Sequence, residues 1–306
     1  MRNHYFRKWL QTCFSLLSIS YNSTTRFVDP SHCQITHKLL NQQLQIVSPV
    51  CEKNHLLHTT VSVLVFGDSI DRLVVEDSCH LWGSNPSSWA VNFSYKVGAP
   101  ADLLCDSRHG RLAFLNIYGS AQKGPYAHGH ASSADDPYAD TELRVAHGLD
   151  QFLQRFGTPD VVFYRSELWD LGAHMLLDGH NSSGCWPPVA CSNTTRVFSA
   201  DQLDQLFEEF IDNFLITIKY IRQRVPKSMI CTHTVPDITF GMHLFPRYQN
   251  AVRFVADVAE LCLFDWNKLL SPYSPTEYLR DFHHPNTTYT AAFGELLMST
   301  FTNVCF

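Results

Sequence analysis

Apolar and polar positions fall into blocks along the chain, and the order of those blocks predicts the fold. The clearest block is residues 59–72, TTVSVLVFGDSIDR. Val61, Val63 and Val65 interleave with Leu64 and Phe66, a β-branched and aromatic run typical of a strand buried on both faces. The run stops at Gly67-Asp68-Ser69, and a helical pattern of Ile70, Leu73, Val74 and Asp77 follows. A second apolar run, Leu112 to Tyr118, ends at Gly119 and predicts another central strand. Thr141 opens a capped amphipathic helix with Val145, Leu149 and Phe152 on its apolar face, and Asp160 to Tyr164 forms the next strand.

Farther on, Asp201 to Arg224 predicts a long helix with Leu206, Phe210, Phe214, Ile218 and Ile221 as its core stripe. Ser228–Val235 then reads as a strand, Arg247–Leu261 as a helix, Leu263–Trp266 as a short strand and Tyr289–Phe301 as a final helix. The stretches 83–110, 120–140 and 172–199, with Gly, Pro, Ser and Asn, read as long loops. Strands that alternate with helices run parallel through right-handed crossovers. The expectation is a three-layer α/β/α sandwich on a parallel sheet of about five strands. Residues 59–306 form that domain, 22–58 an extension packed over it, and 1–21 a separate leading segment.

Composition narrows the setting. With 306 residues and 45% hydrophobic content, one large core suffices. A net charge of −6 with no basic run leaves nucleic acid without a docking surface. Arg2, Arg7 and Lys8 precede a moderately apolar stretch from Trp9 to Ile19, the order of a secretory signal or short anchor; a polar tail or a misplaced start is the alternative. The stretch is short for a membrane span, so membrane attachment is expected only through this N-terminus. Five Asn-x-Ser/Thr sites, at Asn22, Asn92, Asn181, Asn193 and Asn286, exceed the roughly two that chance gives.

Ten cysteines add to an expected secretory address, Golgi lumen or extracellular. Cys185 and Cys191 flank Pro187-Pro188 and are placed to close a small ring, and Cys231, inside a strand, is the expected unpaired thiol. No CxxC pair occurs, and His128 and His130 read as solvated loop residues, so no metal and no cofactor is expected.

The candidate chemistry sits at the two ends of the domain. Ser69 falls at the carboxyl end of a strand and at a helix N-terminus, where free N–H groups favour a developing negative charge. It is a candidate nucleophile, although Asp68 and Ser69 also suit a plain helix cap. A serine hydroxyl needs a base, and the base needs a carboxylate to fix its tautomer. Asp281-Phe282-His283-His284-Pro285 offers both in one loop.

GDS after the first strand, with DxxHP near the C-terminus, resembles the SGNH/GDSL hydrolase superfamily, and within it the PC-esterase branch of plant polysaccharide O-acetyltransferases and animal PC-esterase-domain proteins. VVFYRSELWDL (161–171), CTHTVP (231–236) and FDWNKLL (264–270) are similar to intermediate segments of that branch, so the resemblance runs from about residue 60 to the end. It implies an SGNH-like, flavodoxin-like sheet, with Ser69 as nucleophile, His284 as base by the Asp-x-x-His spacing and Asp281 as its partner. It also carries an oxyanion role to the Gly119 N–H. The family's oxyanion asparagine is missing from 165–170, and Glu167 stands where a small glycine is expected; Glu167, Trp169 and Asp170 are the expected oxyanion or substrate contacts.

The implied activity is serine-dependent acyl-ester chemistry, esterase or O-acyltransferase, on a glycan or other acylated small molecule. An inactive SGNH-fold glycan-binding or scaffold protein is the alternative. A glycan on Asn286, two residues past His284, would crowd such a site, so that sequon is expected to stay unused.

Overall fold

The computed structural model describes residues 61–91, 93, 100–107, 110–120, 141–177, 199–238, 244–271, 273–281 and 283–303. The segments 1–21 and 22–58, His128 and His130, the Cys185–Cys191 ring and the sequons at Asn22, Asn92, Asn181 and Asn193 lie outside these residues. Among the described residues no helix is long and apolar enough to cross a membrane.

Strand β1 (Val61–Gly67) is buried at every position but Ser62, as its unbroken apolar run requires. Helix α1 (Ser69–Leu81) starts at once, because Asp68 Oδ1 accepts the Ile70 N–H at 2.9 Å and Asp71 Oδ2 accepts the Asp68 N–H at 3.1 Å. These bonds satisfy donors that a helix start leaves without intrahelical partners.

The 83–110 stretch holds a strand that the sequence conceals, β2 (Asp102–Ser107). Its Asp102 reads as a loop residue, but Ser88 Oγ and the Trp89 and Ala90 N–H groups all donate to its carboxylate. A disulfide from Cys105 to Cys79 ties β2 to α1. Strand β3 (Gly110–Asn116) starts and ends two residues earlier than the pattern suggested, leaving 117–119 free to turn.

Beyond lie α2 (Thr141–Phe156), β4 (Val161–Tyr164), α3 (Glu167–Leu177), α4 (Ala200–Arg224), β5 (Met229–His233), α5 (Phe245–Val258), β6 (Cys262–Phe264), the short α6 (Trp266–Leu270) and α7 (Pro275–Tyr278), and α8 (Thr287–Asn303). Two of these correct the sequence reading. The segment after β4 is helix α3 rather than loop, its apolar Leu168 and Leu171 buried in the core. Trp266 belongs to α6, not to the last strand, because Asp265 accepts the Lys268 N–H and turns the chain into a helix.

The sheet therefore has six strands in the order β2-β3-β1-β4-β5-β6, all neighbours parallel except the β2–β3 pair. From β1 the chain moves one way to β3, then crosses back to β4 and continues through β5 to β6. Right-handed crossovers put α1 on one face and α2, α4 and α5 on the other. Helix α8 returns against α1, where a side chain on Gly294 would collide with Ser78 Oγ. Cys231 is a free buried thiol, as is its register partner Cys262. The reversal of direction at β1 opens a crevice at the carboxyl ends of the strands, the place where α/β sheets take ligands.

Candidate active site

Ser69, at the first position of α1, stands at that crevice. Its N–H is one of those a helix start leaves without an intrahelical acceptor. The other side of the crevice is the loop from Leu279 to Pro285, closed like a small hairpin. Leu279 bridges Pro285, the Arg280 N–H donates to His284 O at 2.9 Å and the Asn286 N–H donates to Tyr278 O at 2.7 Å.

Within that loop Asp281 Oδ1 accepts the His283 and His284 N–H groups at 2.9 and 2.8 Å, an Asx-type turn. The same turn swings the His284 ring over its own carboxylate. Nδ1 of His284 lies 2.8 Å from Asp281 Oδ2, and Nε2 lies 2.9 Å from Ser69 Oγ. An ionised carboxylate only accepts, so Nδ1 carries the hydrogen and Nε2 presents its lone pair to the serine hydroxyl.

Electrostatics favours this protonation state. Burial alone would raise the Asp281 pKa, but the two backbone N–H groups and His284 outweigh it and bring it to about 2. Burial pushes His284 below its ordinary 6.5, and the hydrogen bond it donates to Asp281 only partly offsets that. The ring is thus neutral near pH 7 and able to accept a proton. His283, the other histidine of the motif, is buried with its ring 3.6 Å from that of His284. Burial and the neighbouring His284 push it down to about 3. Ligand atoms of Asp281, His283 and His284 all lie within 4.8 Å of one another, a spacing that suits a metal. Both nitrogens of His284 are already engaged, however, by Asp281 and Ser69.

Gly119 reaches the same edge. Asn116 pairs with Gly67 in the parallel register, and the Ile117 N–H donates to Gly67 O at 2.8 Å, so the chain leaving β3 runs beside the serine turn. Gly119 has φ +103°, and a Cβ there would approach Asp170 Oδ1 to 2.9 Å. Only glycine meets both conditions at low cost.

The other three expected contact residues are placed differently. Asp170 is buried and accepts the Ser120 N–H on both oxygens, at 3.0 and 2.8 Å, so it braces the Gly119 turn from below. Trp169 is buried edge-to-face against Tyr118. Glu167 is fully buried beside the Arg165 guanidinium. None of the three lies open to a substrate, because α3 turns this stretch inward.

Sequence reasoning also missed a cluster of buried hydroxyls in which Ser120 Oγ lies 2.6 Å from Tyr164 OH and 2.5 Å from Ser166 Oγ. Nothing in its sequence spacing signals it. Asn286 does work of its own: Oδ1 accepts the Thr288 and Tyr289 N–H groups that open α8, and Nδ2 donates to Glu277 O at 3.0 Å.

Compared with known proteins, the chain matches no family model and no curated protein. Solved structures of similar shape include a GDSL-like lipase from Parabacteroides merdae, with 12% identity over 82% of this chain and 99% of that one and a TM-score of 0.42. A catalytic mutant of an acetylxylan esterase from Geobacillus stearothermophilus has 12% identity over 80% and 94% of the chains, with a TM-score of 0.38. A lipase/acylhydrolase from Enterococcus faecalis has 13% identity over 79% and 96%, with a TM-score of 0.37. These structural neighbours are GDSL-like lipases and acetylxylan esterases, distant in sequence.

Because the His284 pKa is lowered, its base form persists below pH 6.5; the rate of any Ser69 modification should keep its plateau down to that pH and fall with a midpoint beneath it. Asp281→Asn should move the midpoint lower still and reduce the plateau by about a thousandfold, read from a pH series of rates. Because Asn286 caps α8 and bonds Glu277, it should be recovered unglycosylated in peptide maps of protein expressed through a glycosylating host, and Asn286→Ala should lower stability by about 1 kcal/mol in a denaturant melt.

Proposed function

We propose that this chain performs serine-dependent acyl-ester chemistry through an acyl-enzyme on Ser69. The observation that carries the reading is the hydrogen-bonded series Ser69 Oγ, His284 Nε2, His284 Nδ1, Asp281 Oδ2, with both links under 3 Å. Such a series gives a hydroxyl a base and gives the base a fixed tautomer.

In the first step Ser69 Oγ bonds to the ester carbonyl carbon while its proton passes to His284 Nε2. Asp281, ionised, stabilises the imidazolium that forms. Charge moves to the carbonyl oxygen, and the N–H groups of Ser69 and Gly119 are the donors assigned to it. Collapse of the tetrahedral intermediate breaks the bond to the alcohol, which leaves with the proton from His284. In the second step a hydroxyl gives its proton to His284 and attacks the acyl carbon, and collapse of this second tetrahedral intermediate breaks the bond to Ser69 Oγ, which takes the proton back from His284. With water as acceptor the protein is an esterase; with a sugar hydroxyl it is an O-acyltransferase.

An acylated glycan is the proposed substrate class and the secretory pathway the proposed setting. The sequence resemblance to the PC-esterase branch, the surplus of sequons and a disulfide inside the domain support both. A second reading, a binding protein that retains the serine, draws on the turn into α3, where the Arg165 and Glu167 side chains are buried against each other rather than offered to the oxyanion.

A fluorophosphonate probe separates the two readings. Wild type should be labelled at Ser69, Ser69→Ala should not be labelled there at all, and His284→Ala should be labelled at least about a thousandfold more slowly. A folded wild type that resists the probe would leave the binding protein as the better reading.

A further inference from the structure

The turn that presents Ser69 is held by one carboxylate that the proposed chemistry does not itself use. Asp71 lies two residues after the serine, on the inner face of α1, with its side chain 3% exposed. Its Oδ2 accepts the Asp68 N–H at 3.1 Å and Arg165 Nε at 2.9 Å, and Arg165 NH2 lies 2.8 Å from the same oxygen. Its Oδ1 lies 2.6 Å from His233 Nε2. Asp68 directly follows β1, Arg165 directly follows β4 and His233 ends β5, so a single side chain ties together the ends of three adjacent strands.

Arg165 tightens the arrangement. Its backbone N–H donates to Phe66 O at 2.9 Å, and its guanidinium also pairs with the Asp68 carboxylate. Gly67 completes it. A Cβ at that position would lie 2.1 Å from Asp71 Oδ2, so the carboxylate occupies the space that the missing side chain leaves. Burial alone would raise the Asp71 pKa, yet Arg165 and His233 outweigh it and bring it to about 2, so the group is ionised and accepts from every donor around it. The nearby Asp68 differs: burial pushes it up to about 7 against the pull of Arg165. Asp71 is therefore the ionised partner on which the cluster converges.

We propose that Asp71 is the positioning residue of the nucleophile turn, setting through Arg165 and His233 the place of Ser69 Oγ relative to His284 Nε2. It touches neither substrate nor reacting atom and acts only through the turn. The inference rests on the serine chemistry proposed above and adds what holds the serine in reach of its base. A displacement of about 1 Å at a reacting atom costs up to roughly a hundredfold in rate.

The test compares fluorophosphonate labelling rates of the full-length chain with thermal melts. Asp71→Asn, folded at the assay temperature, should label at least about tenfold more slowly. His233→Leu, which removes a partner of Asp71, should slow labelling likewise, and His233→Gln, which keeps an N–H donor, should recover most of it. Asp77→Asn is the control: Asp77 also lies on α1 but is bonded to Thr290 of α8, away from the serine turn, so this variant should lose stability and label at the wild-type rate.

Labelling of Asp71→Asn at the wild-type rate would overturn the proposal. If that variant does not fold, equal rates for the two His233 variants would do so. A crystal structure of Asp71→Asn, or of His233→Leu in its place, reads positioning without turnover. Ser69 Oγ and His284 Nε2 should have separated beyond hydrogen-bond reach, and an unchanged distance would refute the role of Asp71. A wild type inert to the probe would instead remove the serine chemistry, with this distance still deciding the positioning.

Discussion

The hydrogen bond from Ser69 to His284 joins positions 215 residues apart, and the rest of the architecture can be understood as what brings those two side chains together. Closing a loop of that length costs conformational entropy that one hydrogen bond cannot offset. The sheet supplies the difference. Register fixes β1 between β3 and β4, burial of nearly every β1 side chain fixes its depth, and α8 packs against α1, so the loop just before α8 arrives at the start of α1. The site is then a consequence of packing at the crevice where the chain reverses across the sheet.

Four buried or half-buried carboxylates near this edge have different electrostatic fates, set by what donates to them. Asp281 has two backbone N–H groups and a histidine, is the most exposed of the four, and stays ionised. Asp71 has Arg165 and His233 and also stays ionised. Asp68 and Glu167 share the same arginine, and burial raises both. One guanidinium among three acidic groups cannot neutralise them all, and Asp71 is the one that also has His233 against its second oxygen.

How much of this was legible in sequence depended on the range of the interactions involved. The β1 run, the GDS turn and the Asp-x-x-His loop are local patterns, and Ser69, Asp281 and His284 come together as those patterns suggested. Strand β2 stayed hidden because its Asp102 is acceptable in a strand only with donors from the segment at 88–90. The inward turn of Trp169 and Asp170 was invisible for the same reason, since their partners Tyr118 and Ser120 come from the turn after β3. Asp71 and His233 are 162 residues apart, and no periodicity marks them as neighbours.

The most direct test of the central claim is to trap the acyl-enzyme. The protein would be mixed with an activated acetyl ester, quenched in acid, digested and mapped by mass spectrometry. The account predicts one acetyl group, on Ser69, formed by wild type and missing from His284→Ala. Ester turnover that continues undiminished in Ser69→Ala, or acetylation that settles on another residue while Ser69 stays free, would contradict it.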